Sequence, residues 1–117
     1  MEDIRGNLGI INEQIKLCAE KCGRQAEDVL LCAVSKTRTP EEINIAIDAG
    51  VTDIGENKVQ ELLEKYESYD KRAEIHFIGR LQTNKVKYII EKVSLIHSLD
   101  RISLAEQLEK MAKKMGR

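Results

Sequence analysis

Four short apolar runs recur along the chain, each followed by a helix-forming segment: "VLLCAV" from Val29, "VTDIG" from Val51, "EIHFIG" from Glu74 and "SLIHS" from Ser94. Strand-length runs that alternate with helical patterns predict parallel strands joined by right-handed crossovers. The class is therefore α/β, with an N-terminal helix and then four strand-helix units. At 117 residues, the expected organisation over 1–117 is a single domain.

The helices carry their own signals. Ile4, Leu8, Ile11, Ile15, Cys18 and Cys22 fall at helical spacing, and Gly23 is placed to end that helix. "TPEE" supplies Thr39 as N-cap, Pro40 in the first turn and Glu42 to complete a capping box, with Gly50 closing the helix. Val59, Leu62, Leu63 and Tyr66 mark the next helix, and a polar connection "ESYDKRA" follows it. "TNKVKYIIEK" predicts the third crossover helix, with Thr83 as its cap. Asp100 is the expected cap of the last, whose apolar face would carry Ile102, Ala105, Leu108, Met111, Ala112 and Met115.

Composition narrows the function classes. Nineteen Lys plus Arg against twenty Asp plus Glu leave a net charge of −1, which gives no electrostatic footprint for nucleic acid. Without Trp and with one Phe and three Tyr, base-stacking platforms are scarce too. No apolar run approaches the ~20 residues of a membrane span, and "MEDIRGNLGI" lacks the basic and apolar regions of a secretory signal. A cytoplasmic protein that meets neither membrane nor nucleic acid is the expectation. The odd cysteine count, three, suits a reducing compartment. Cys18 and Cys22 would share a helix face, but no further ligand pair accompanies them, so buried thiols are expected rather than a metal site.

Two architectures satisfy the alternation: a small open doubly wound sheet, or part of a (β/α)8 barrel, which needs ~250 residues when complete. In both, ligands gather at the carboxyl ends of the strands. Those ends carry Ser35, Lys36 and Thr37; Gly55, Glu56 and Asn57; Gly79, Arg80, Leu81 and Gln82; then His97 and Ser98.

Strand alternation sets Lys36 on the face of Leu30, Cys32 and Val34, with Leu31, Ala33 and Ser35 opposite. An ammonium held over an apolar face loses solvation, which frees the amine to attack a carbonyl and form a Schiff base. A lysine just past a strand is most often a solvated loop residue, however, so position does not decide. His76 and His97 lie in apolar strands, where a proton shuttle competes with a hydrogen-bonded core role. Cys32 sits mid-strand and does not read as a nucleophile. Neither a dinucleotide fingerprint nor a P-loop string is present.

Taken together and in order, "AVSKT", "GENKVQEL", "HFIGRLQTNK" and "IHSLD" closely resemble the YggS-like family of pyridoxal phosphate homeostasis proteins, over about residues 3 to 116. The resemblance implies half of a fold-type III barrel, like the N-terminal domain of alanine racemase, with pyridoxal 5'-phosphate as cofactor. It implies Lys36 as the Schiff-base lysine and Asn57 lining the cofactor, with His76, Leu81 and Ser98 near it. It also implies a carrier that buffers the cofactor, not an enzyme. Against a usual family member the chain has about half the length, and the other half would supply the phosphate cradle and an arginine facing the pyridine nitrogen. Weak, reversible cofactor binding is therefore expected, along with self-association of two copies through the open barrel edges. The alternative is a non-binding structural fragment that associates in the same way.

Overall fold

A computed structural model describes residues 3–116. Helix α1 (Ile4–Lys21) leads into strand β1 (Cys32–Val34), followed by α2 (Pro40–Asp48), β2 (Asp53–Glu56), α3 (Val59–Lys65), β3 (Glu74–Phe77), α4 (Val86–Ile89), β4 (Leu95–Ile96) and α5 (Ile102–Met115). The four strands pair in chain order, β1-β2-β3-β4, and all three pairings are parallel. This is the predicted α/β class with four strand-helix units after an N-terminal helix.

The register sorts side chains onto two faces. Ala33, Ile54 and Ile75 stand abreast, as do Glu56, Phe77 and Ile96, and this face is covered by helices. Ile54, Leu62, Phe77, Val86, Ile89 and Leu104 are all buried there. Val34, Gly55, His76 and Leu95 share the opposite face, where Val34 and Leu95 remain 53% and 52% exposed. A doubly wound sheet carries helices on both faces, so one-sided cover selects part of a barrel wall. Helices α1 and α2, α3 and α4, and α4 and α5 pack as neighbours.

Local signals decided several boundaries. Thr39 Oγ1 accepts from the Glu42 N–H, and the Glu42 carboxylate accepts from the Thr39 N–H, so the capping box forms as expected. Gly23 adopts φ 73°, and the Arg24 N–H reaches back to the Ala19 carbonyl to stop α1.

Other expectations are corrected. The first strand begins at Cys32, not near Val29, and among the described residues its inner face is left uncovered, with Val34 exposed. Cys18 and Cys22 are exposed, since α1 packs through Leu8 and Ala19 and turns both thiols outward. Thr83 lies inside a 3-10 turn, Thr83–Lys85, that shortens the third crossover helix, and Gln82 occupies the position before it. Arg101, not Asp100, precedes α5, and that helix buries Leu104 and Met111 while Ile102 stays 78% exposed. The connection after α3 is not wholly polar either, since Tyr69 is buried.

Candidate functional site

The β1–α2 loop carries Lys36 across the rim of the sheet, and a buried polar cluster behind it fixes its path. Glu56, the last residue of β2, is fully buried on the helix-covered face. Its Oε1 accepts from Ser35 Oγ at 3.0 Å, and its Oε2 from Tyr69 OH at 2.5 Å. Lys65, from the end of α3, brings Nζ to 3.2 Å from Glu56 Oε2 and 3.0 Å from Glu61 Oε2. The same ammonium donates to the Ser35 carbonyl at 3.1 Å and the Arg38 carbonyl at 2.9 Å.

Lys65 thus grips the loop from both sides of Lys36. Between those points the Thr37 N–H donates to Glu61 Oε2 at 2.6 Å, and Thr37 itself adopts φ 64°. A β-branched residue in the left-handed region is held there only when its surroundings over-determine it. Burial opposes ionisation of Glu61, but the Thr37 N–H and Lys65 outweigh it and keep its carboxyl below the usual range. Burial, then the bond to Glu56, pushes the Tyr69 hydroxyl well above the ordinary tyrosine value.

Lys36 is exposed on this clamped loop. Desolvation over an apolar face, the expected source of its reactivity, is not what the structure has: the inner face is open, and the turn at Thr37 carries the loop to the rim. A groove of about 520 Å³ beside it is lined by Lys36, Thr37, Asn57, Lys58, Gln60 and Glu61, among others.

The inner face carries a second polar array. His76 Nε2 lies 2.8 Å from Asp53 Oδ1 and His76 Nδ1 lies 2.9 Å from His97 Nε2, while Thr52 Oγ1 donates to Asp53 Oδ2 at 2.7 Å. Asp53 and His76 are buried, and His97 is exposed. An ionised carboxylate only accepts, so a neutral His76 donates from Nε2 and must accept at Nδ1. His97 then donates from Nε2 and presents the Nδ1 lone pair outward. Burial, with the Asp53 carboxylate beside it, raises the Cys32 thiol above its ordinary value, in keeping with an unreactive residue.

Of the residues expected at the site, Lys36 and Asn57 share one groove. His76 stands apart on the inner face, paired with Asp53. Leu81 is wholly buried, and its carbonyl accepts from Arg101. Ser98 is half-buried, and its hydroxyl is the one buried side-chain polar atom among the described residues without a hydrogen-bond partner. Sequence reasoning placed Glu56 at a strand end without its role, and it missed Tyr69, Lys65 and Asp53. One signal for Glu56 was there, an acidic residue in the row of β2 shared with Ile54. Among the described residues no cluster of His, Cys, Asp and Glu is placed to hold a metal ion, and no helix is long and apolar enough to cross a membrane.

An open parallel sheet with one-sided helices and polar strand ends defines a barrel segment of the βα class. No family model matches the chain. It is 49% identical over 106 residues to the pyridoxal phosphate homeostasis protein of Aquifex aeolicus, covering 90% of this chain and 46% of that protein. The protein of the same name from Escherichia coli is 40% identical over 112 residues, with 92% and 48% covered. Among solved structures, an unknown protein from Bifidobacterium adolescentis superposes with a TM-score of 0.91 at 34% identity, over 99% of this chain and 54% of that one. PipY of Synechococcus elongatus, solved with pyridoxal phosphate bound, gives 0.69 at 34% identity, over 88% and 50%. The chain belongs to the YggS-like family of pyridoxal phosphate homeostasis proteins, and it spans about half the length of the curated relatives it matches.

Proposed function

We propose that this chain is a noncatalytic, cytoplasmic carrier segment that takes up pyridoxal 5'-phosphate through Lys36, as part of cofactor homeostasis. The observation that carries this reading is the clamped loop: Lys65 and Glu61 hold the backbone on both sides of Lys36, so a mobile amine is offered from a fixed position. The cofactor supplies an aldehyde, and the Lys36 amine joins it as a Schiff base with loss of water.

Two further features fit such a group. Asn57 shares the groove with Lys36, and the Ser98 hydroxyl is buried without a partner, as a polar ligand contact would be before its ligand arrives. His76 holds the inner face through Asp53, and Leu81 contributes through its packed backbone, so their part is positional. The groove of Lys36 carries Glu61 and Glu64 beside Lys58, carboxylates that oppose a phosphate, which supports weak and reversible uptake by this polypeptide alone.

Adding pyridoxal phosphate should produce a visible imine band, and borohydride should fix the label on Lys36. Unchanged labelling in Lys36→Ala would overturn the assignment.

A second reading is favoured by the uncovered inner face, where Val34, Leu95 and Leu99 are 53%, 52% and 56% exposed. On its own, this polypeptide forms a single domain, 1–117, that self-associates through that face and its edge strands. Light scattering that returned a monomer at all concentrations would refute it. Self-association without any saturable imine band would leave the structural role alone standing.

A further inference from the structure

A second groove of about 560 Å³ runs between α3 and α4; it adjoins the one around Lys36, sharing Asn57, Lys58 and Gln60, but lacks that groove's Glu61 and Glu64. Lys58, Arg80 and Lys85 line it from three places in the chain, with Gln82, Leu63 and Tyr88. No carboxylate is among its lining residues, although the whole chain carries a net charge of −1. Among the described residues, none of these three cations makes an ion pair or a side-chain hydrogen bond; Lys85 Nζ only hovers 5.7 Å from the Tyr88 ring. Glu61 attracts Lys58 electrostatically, but its hydrogen bonds and ion pair go to Thr37 and Lys65, and it does not line the groove.

Three like charges around a groove that no carboxylate lines repel one another, and an anion placed among them lowers that cost. Their backbone is also fixed. Gly79 packs so closely on Asn57 that a Cβ would overlap the Asn57 carbonyl oxygen, Leu81 is wholly buried, and Arg101 donates to the Leu81 carbonyl. Arg80 and Gln82 are the exposed alternates of that pinned stretch. Packing accounts for Gly79 and Leu81 but not for Arg80, Gln82 or Lys85.

We propose that this groove binds a small phosphorylated ring compound, with the phosphate among Lys58, Arg80 and Lys85 and the ring against Leu63 and Tyr88. Those two side chains are 37% and 45% exposed, an apolar wall next to a cationic pocket. A nucleoside monophosphate and a vitamin-derived phosphate share this chemistry, and the test separates them.

The 15N-labelled chain is titrated at constant ionic strength with adenosine monophosphate, with pyridoxamine 5'-phosphate and with inorganic phosphate. Pyridoxamine phosphate carries an amine in place of the aldehyde and cannot condense with Lys36, so covalent capture there does not contribute, and shifts at Arg80, Gln82 and Lys85 report a groove that Lys36 does not line. Saturable amide shifts at Arg80, Gln82 and Lys85 with either ring compound support the site, and the tighter of the two names the source. Arg80→Ala combined with Lys85→Ala should weaken binding about tenfold or more with amide dispersion intact. No saturation by either compound, equal affinity for inorganic phosphate, undiminished binding by the double variant, or binding only of a single-stranded RNA oligonucleotide would each overturn the proposal.

Discussion

Lys65 Nζ lies 3.2 Å from Glu56 Oε2, with 10% of the lysine side chain and none of the glutamate side chain exposed. The pair sits on the helix-covered side of the sheet, where Tyr69 also donates to Glu56 and Glu61 pairs with Lys65, and the other hydrogen bonds go to the loop itself. A buried ion pair is weak evidence of net stability, because desolvation offsets much of the attraction. Its effect here is geometric: it converts a surface loop into a fixed one.

Removing one partner leaves the other charged and buried. Lys65→Met should cost about 3–5 kcal/mol in chemical denaturation. Combining Lys65→Met with Glu56→Gln should recover part of that loss, and equal losses in the single and double variants would mean that the pair is not coupled.

Tyr69 links the same carboxylate to alkaline stability. Its folded pKa is raised, by burial first and by the bond to Glu56 next. Below the unfolded tyrosine pKa of about 10 the phenol is protonated in both states, so its contribution is fully present. As pH rises above that value the unfolded state releases the proton while the folded state keeps it, and stability falls. Tyr69→Phe should flatten this alkaline limb in pH-dependent denaturation. At neutral pH it should cost about 1–3 kcal/mol, because a buried carboxylate oxygen keeps only Lys65 of its two donors.

The Asp53–His76–His97 chain fixes two tautomers. Long-range 15N spectroscopy at a pH where both imidazoles are neutral should find His76 and His97 each protonated at Nε2. Asp53→Ala should scramble the His76 tautomer and lower stability by about 1–3 kcal/mol, since a buried N–H is left unpaired. Finding His76 protonated at Nδ1 in the native protein would reverse the direction of the chain.

What could be read in advance was local. Thr39, Pro40 and Glu42 lie within a single turn, so the capping box was legible from spacing, and the strand-helix alternation forced a parallel sheet. The clamp on the Lys36 loop was not legible, because Ser35, Glu56, Lys65 and Tyr69 come from separate elements that only the fold brings together. Exposure of Cys18 and Cys22 could not be read because an amphipathic stripe says which residues share a face, not where its cover ends. In α5 two stripes fit the same spacing; Leu104 and Met111 point at the core, and Ile102 does not.

Gly79 and Gly9 make opposite predictions from one substitution. Gly79 is buried, and an added Cβ would overlap the Asn57 carbonyl oxygen, a backbone atom that cannot swing away. Gly79→Ala should therefore cost about 1–3 kcal/mol and shift the Asn57 and Lys58 amides, since both residues line the groove of Lys36 and the cationic groove. Gly9 lies within α1, where an added Cβ meets nothing within 4 Å. Gly9→Ala should raise stability by up to about 1 kcal/mol through helix propensity alone. Denaturation of both variants beside the parent separates close packing from backbone entropy. A Gly79→Ala protein as stable as the parent, with Asn57 unshifted, would show that the two loops are not in contact, and the pinned backbone of the cationic groove would lose its support.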